Sequence, residues 1–181
     1  MPGPWSEPAS FELALLRIED WAGTAWIGSP HESSQPASRR LRWRRQNTDR
    51  PSPLLRKEFE VEQGDDIAEA RLYCSALGIY DVEINGTSVS EDRLRPGFTA
   101  YDHRIQHQTY DVSALLIEGR NTIGITLADG WWRGRVGVFR KPNNWGTNVA
   151  AIARLEAGHR TLVQSDSTWK ATEGGVRRAC L

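Results

Sequence analysis

The stretch Ile79-Tyr80-Asp81-Val82-Glu83-Ile84-Asn85-Gly86 constrains the fold more than any other in the chain. Tyr80, Val82 and Ile84 alternate with Asp81 and Glu83, the period-two signature of a strand with one face buried and the other solvated. Asn85-Gly86 follows immediately. Both residues tolerate positive φ, so the pair predicts a tight hairpin with residues 87–89 as its return strand. The same texture runs from Leu54 onward. Residues 55–61 predict a first strand. Residues 67–75 predict a second, with Ala68, Ala70, Leu72 and Cys74 on one face and Glu69, Arg71 and Tyr73 on the other. Residues 106–112 read as extended and 113–116 as a short helical turn. Residues 123–127 alternate Ile123, Ile125 and Leu127 with Thr122, Gly124 and Thr126. Residues 149–155 form a nearly continuous apolar run, expected to be buried on both faces. Residues 160–163 and 168–172 complete the set, with Gly158-His159 as a turn. No segment keeps a sustained 3.6-residue apolar period. Many short strands between turn signals predict an all-β chain, an antiparallel β-sandwich or jelly roll.

Composition narrows the function classes. Lys+Arg and Asp+Glu both number 23, so the formal charge is zero, which argues against a general electrostatic nucleic-acid binder. The basic run Arg39-Arg40-Leu41-Arg42-Trp43-Arg44-Arg45 is local and reads as a solvated loop. No stretch is apolar for long enough to span a bilayer. Met1-Pro2-Gly3-Pro4-Trp5 has neither a basic start nor an apolar core, so no export signal is expected within the sequence as it stands. Cys74 and Cys180 make neither a disulfide framework nor a metal knuckle. Cys74 reads as a small core residue.

Catalytic constellations are weak. Asp65-Asp66, Glu91-Asp92 and Asp129 offer carboxylates, but nothing in the sequence brings two of them to the separation that glycoside hydrolysis needs. His31, His103, His107 and His159 follow no metal spacing, and no Gly-x-Ser-x-Gly, Walker-type loop or Gly-x-Gly-x-x-Gly occurs. Tyr101-Asp102, Asp129 and Asn143-Asn144 hold oxygens of the kind calcium takes. Asp and Asn also populate loops for backbone reasons alone.

Asp129-Gly130-Trp131-Trp132-Arg133-Gly134-Arg135 stands apart. Neighbouring side chains on an extended chain point to opposite faces, so one of Trp131 and Trp132 is expected inward and the other exposed. An exposed ring beside Asp and Arg suits a neutral, hydroxyl-rich ligand: the ring covers C–H surface and the charged groups take hydroxyls. On composition alone a turn that buries both rings, with glycine supplying the bend, comes first. Phe98, Tyr101, Trp131, Trp132, Phe139 and Trp145 all fall in or near expected loops. Loops at one end of a sandwich carry binding sites, but aromatics there also cap cores. On the residues alone the two readings stand level.

The chain resembles the N-terminal region of bacterial α-L-rhamnosidases, large glycoside hydrolases built from β-domains and an (α/α)6 catalytic barrel. The resemblance rests on several motifs in order. Trp5-Ser-Glu-Pro-Ala-Ser-Phe-Glu12 looks like the closing strand of a fibronectin-III-like domain. Asp20-Trp21 and Ala25-Trp26-Ile27-Gly28 look like the connector. Leu54-Leu-Arg-Lys-Glu-Phe59 resembles the entry strand of the N-terminal β-sandwich. Within the sandwich, Gly78-Ile-Tyr-Asp-Val-Glu-Ile-Asn-Gly86, Pro96-Gly-Phe-Thr-Ala-Tyr-Asp102, Gln108-Thr-Tyr-Asp-Val112 with Leu115-Leu116, and Asp129-Gly-Trp-Trp-Arg-Gly134 match. The insert from Arg39 to Arg50 departs from the family pattern.

The resemblance implies three segments: residues 1–28 as a closing strand plus connector, 29–53 as a flexible polar linker, and 54–181 as a galactose-binding-like jelly roll. It implies an accessory, substrate-recognising role in removal of terminal α-L-rhamnose from glycosides, beside a downstream catalytic (α/α)6 domain that no residue here matches. The expected sugar contacts are Tyr101, Asp102, Asp129, Trp131, Trp132 and Arg133, with Asp102 and Asp129 as expected ligands of Ca2+. Rhamnose-containing glycosides are the expected partners, with no nucleic acid and no membrane. A purely structural domain packed against the catalytic barrel is the competing expectation.

Overall fold

The computed structural model describes residues 6–9, 11–30, 50–138 and 140–175. Its strands are β1 (Pro53–Val61), β2 (Ala70–Leu77), β3 (Ile79–Ile84), β4 (Thr87–Ser88), β5 (Gln108–Asp111), β6 (Gly119–Ala128), β7 (Ala150–Ala157), β8 (Arg160–Gln164) and β9 (Lys170–Glu173). They form two antiparallel sheets, one in the order β4-β3-β6-β1-β9 and one in the order β5-β2-β7-β8. The sheets stack as a β-sandwich around one core. Leu55, Val82, Ile84, Ile123, Ile125 and Leu127 enter it from the first sheet. Leu72, Cys74, Ala151, Ala153 and Leu155 enter from the second. Burial of the Cys74 thiol pushes its pKa up to about 12, as expected of a thiol without water.

The β3 alternation is realised as expected: Tyr80, Val82 and Ile84 are buried, while Asp81 and Glu83 are exposed. Asn85 and Gly86 take positive φ of 52° and 81° in the turn to β4. Other expectations need adjustment. Residues 67–69 are a 3-10 turn, so β2 begins at Ala70. Strand β7 is not buried on both faces. Ala151, Ala153, Leu155 and Ala157 point into the core, and the intervening residues are half-buried because Arg154 stands among them, paired with Glu156. The apolar run therefore behaves as a one-sided strand.

The N-terminal segment differs most from expectation. Residues 11–16 form no strand. Past a 3-10 turn (Ile18–Trp21), the chain is stitched to the sandwich. Ile27 and Ala151 exchange two backbone hydrogen bonds of 2.8 Å. Ser165, fully buried, donates from its hydroxyl to the Ala25 carbonyl at 2.6 Å. The expected linker lies mostly outside the described residues; at its end Ser52 is already buried and Pro53 opens β1.

Strand pairing decides where the loops meet. Ile79 at the start of β3 pairs with Ala128 at the end of β6. The long connection from β4 to β5 returns to the same place, because Arg95 bridges Tyr80. The loop holding residues 96–102 and the loop that opens at Asp129 therefore converge at one end of the first sheet.

Candidate functional site

Arg95 anchors the first of these loops. Its guanidinium is buried over the rings of Tyr80 and Tyr110, 5.3 and 5.5 Å from their centroids, and is ion-paired with Asp81. A buried cation is stable only when its charge is met, and here two π-faces, the Asp81 carboxylate and the Tyr110 hydroxyl, which accepts from Nη1 at 3.3 Å, meet it, while Nε has no hydrogen-bond partner. The Gln108 side chain donates to the Pro96 carbonyl at 3.2 Å. Phe98 and Tyr101 leave this fixed base. Tyr101 is buried, its hydroxyl donates to the Gly97 carbonyl at 3.2 Å, and burial raises its phenol pKa.

The second loop opens with one turn of helix, α1 (Gly130–Arg133). Gly130 has φ of +52°, and a Cβ there would sit 2.6 Å from the Ile79 side chain. Only glycine lets the turn lie this close to β3. Asp129 and Arg133 are four apart on this turn and pair through Nε to Oδ1 at 2.5 Å. Arg133 is 2% exposed, and its Nη1 also donates to the Thr147 carbonyl at 3.3 Å. The turn then hydrogen-bonds the returning chain: the Asn143 N–H donates to the Arg133 carbonyl and the Trp145 N–H to the Trp132 carbonyl.

The helical turn alters the expectation for the two tryptophans. Successive side chains on a helix diverge by about 100°, not the 180° of a strand. Neither ring is fully buried and neither is fully exposed. Trp132 packs against the core, donates from Nε1 to the Asn148 carbonyl at 2.9 Å, and lies flush against Gly146, which has no side chain to displace it. Trp131 meets Phe98 at 6.1 Å between centroids.

Five aromatic rings thus assemble from two loops. Tyr101 contacts Trp132 at 5.3 Å and Trp145 at 5.2 Å, both edge-to-face. Phe98 contacts Tyr101 at 6.1 Å and Trp145 at 5.6 Å. Phe98 is 55% exposed, so the cluster grades from a buried Tyr101 through a half-buried Trp132 to an open edge at Phe98. Of the residues expected to touch a ligand, Tyr101, Trp131 and Trp132 are brought together. Asp102 stands exposed in the turn after Tyr101. Asp129 and Arg133 are committed to each other inside the fold, because a buried Arg holds its charge only against a partner. Phe98 and Trp145 were legible only as members of the loop aromatic set, and Phe139 lies outside the described residues. Arg50 joins the site unforeseen, donating to Asn143 Oδ1 at 3.1 Å and to the Thr147 carbonyl at 3.3 Å.

Among the described residues no group of three or more Asp, Glu, His or Cys could hold a metal ion. The Asp129 carboxylate already receives Arg133, and Asn143 already receives Arg50.

Residues 65–181 match the family described as "Alpha-L-rhamnosidase N-terminal domain". An α-L-rhamnosidase from Formosa agariphila is 39% identical over 178 residues, which is 96% of this chain and 18% of the relative. The crystal structure of native α-L-rhamnosidase from Aspergillus terreus superposes with a TM-score of 0.83 at 32% identity, covering 98% of this chain and 20% of that one. The Streptomyces avermitilis α-L-rhamnosidase, solved in complex with L-rhamnose, gives 0.67 at 36% identity, over 72% of this chain and 13% of that one. The chain thus spans 18% of the length of the Formosa enzyme it matches over nearly its whole extent.

Proposed function

Because this chain belongs to the alpha-L-rhamnosidase N-terminal domain family, we propose that its ring cluster is a non-catalytic docking surface for rhamnose-containing glycosides, serving a hydrolase that removes terminal α-L-rhamnose. The observation that carries this reading is the exposed Phe98 edge, held by Trp131 and Trp145 over a buried base. A rigid aromatic edge binds a sugar at low entropic cost, because the rings are already placed before the ligand arrives. A deoxysugar such as rhamnose offers a methyl group and C–H faces to such rings.

The test is titration of the chain with L-rhamnose and a rhamnosyl oligosaccharide, read by tryptophan fluorescence. Saturable quenching is expected, unchanged by a chelator and lost in Phe98→Ala with the fold retained. No response to millimolar sugar would remove the reading. A second reading, packing of this face against another domain of the parent enzyme, is favoured by the fully solvated Val138 in the neighbouring hairpin. It expects Phe98→Ala to change nothing in the chain alone.

A further inference from the structure

The turn between β3 and β4 joins two residues with a chemistry of their own. Asn85-Gly86 is the only Asn-Gly pair in the sequence; Asn47, Asn121, Asn143, Asn144 and Asn148 precede Thr, Thr, Asn, Trp and Val. The carboxamide carbon of an asparagine is open to attack by the backbone nitrogen of the next residue. A side chain on that residue hinders the approach, and glycine has none. Both turn residues are exposed. No atom beyond its chain neighbours lies within 4 Å of where a Cβ on Gly86 would stand.

The fold holds this carboxamide in a clasp. Asn85 Nδ2 donates to the Leu115 carbonyl at 2.9 Å and to Asn121 Oδ1 at 2.8 Å. Its Oδ1 accepts from the Thr122 N–H at 2.9 Å. The Asn85 N–H donates to the Thr122 carbonyl, also at 2.9 Å. One side chain thereby ties the hairpin to a 3-10 turn (Ser113–Leu115) and to the start of β6. Attack on Cγ requires the carboxamide to rotate out of these bonds, so it proceeds from a locally opened turn.

The same bonds reject the product. Asn121 is 1% exposed. Its Nδ2 donates to the Ile117 and Gly119 carbonyls at 2.6 and 2.9 Å, and its Oδ1 accepts from the Ile117 N–H at 3.0 Å. It cannot turn its amide round without losing all three. An ionised aspartate at position 85 has no donor, so its carboxylate would face two acceptors with no proton between them. Isoaspartate would add a methylene to the main chain of a turn whose length sets the strand register.

We propose that Asn85 is a site of spontaneous deamidation, held back by the clasp and, once converted, releasing the β3–β4 turn from residues 115–122. The Gly86 nitrogen bonds to Asn85 Cγ, the Cγ–Nδ2 bond breaks, and the Gly86 amide proton leaves with Nδ2 as ammonia. Water then opens the succinimide at either carbonyl to give aspartate or isoaspartate. Water is the only co-reactant.

The test is incubation of the chain in mildly alkaline buffer, followed by intact mass and peptide mapping. The mass gain of an amide-to-acid conversion is expected in the peptide carrying Asn85, as a mixture of aspartate and isoaspartate. In denaturing guanidinium chloride the conversion should run about tenfold faster, because the clasp is gone. In the Asn85→Asp chain no mass gain is expected, and the Ile117 and Thr122 amides should exchange hydrogen about tenfold faster than in the unsubstituted chain. Conversion at another asparagine instead, or none in the folded chain over about ten times the period that completes it in denaturant, overturns the site. Equal rates with and without denaturant overturn the clasp. Unchanged exchange in Asn85→Asp overturns the release.

Discussion

Arg133 is an exposed-ligand residue by type and a buried strut by position. With side-chain exposures of 1% and 10%, it and Asp129 form a pair largely cut off from water. Removing one member of such a pair leaves the other buried and unmet, at a cost of about 3 kcal/mol. Arg133→Met should therefore lower the unfolding free energy by about that amount, read as a lower urea midpoint at unchanged slope. Asp129→Leu/Arg133→Met should recover part of the loss, since an apolar pair replaces an ionic one at lower desolvation cost. A single substitution that left the midpoint unmoved would show the pair to be incidental. The sequence named both residues but not their use, because their pairing requires a turn of helix. An acid and an arginine four apart meet on a helix but lie about 13 Å apart along a strand.

At the scale of elements, the segment before the sandwich shows its apolar side chains to solvent. Phe11, Leu13, Leu16 and Ile18 are 71 to 88% exposed. What holds the segment down is ionic. Glu12 accepts from Arg71 Nε at 2.7 Å, and Arg71 also pairs with Asp111 on β5. The hydrogen bond from Arg71 holds the Glu12 carboxyl below the usual carboxylate range. A depressed folded-state pKa means that the tether is present above the ordinary glutamate pKa of about 4.3 and is lost as pH falls through the depressed value. Limited proteolysis of residues 11–18 should accelerate between pH 7 and pH 3 under an acid-tolerant protease. Arg71→Gln should already be fast at pH 7. Identical rates at both pH values in the unsubstituted chain would mean that Glu12 holds nothing.

At the scale of the molecule, the β3 hairpin, the β6 alternation and the turn at Gly158 were all legible, because a period of two and a positive-φ pair are local properties. The one-sided burial of β7 was legible only in its second half, where Arg154 and Glu156 alternate with Ala153, Leu155 and Ala157; the apolar run from Val149 to Ala153 carries no such alternation. The site was half-legible. Loop position identified Tyr101, Trp131, Trp132, Phe98 and Trp145 as one set, but the convergence of their loops follows from Arg95 bridging Tyr80, a long-range contact without a local signature. That same geometry bears on catalysis. Glycoside hydrolysis needs two carboxyl groups roughly 5–10 Å apart, one of them free to give a proton and the other to attack or activate water. Beside the rings, Asp129 is occupied by Arg133, and Asp102 is solvated on the turn after Tyr101. Such a face presents no free acid pair to a glycosidic oxygen. The chain alone should release no nitrophenol from p-nitrophenyl α-L-rhamnoside above the buffer rate, even where the same glycoside quenches its tryptophans. Release that Asp102→Asn or Asp129→Asn abolishes would show that a working acid pair exists on this sandwich after all.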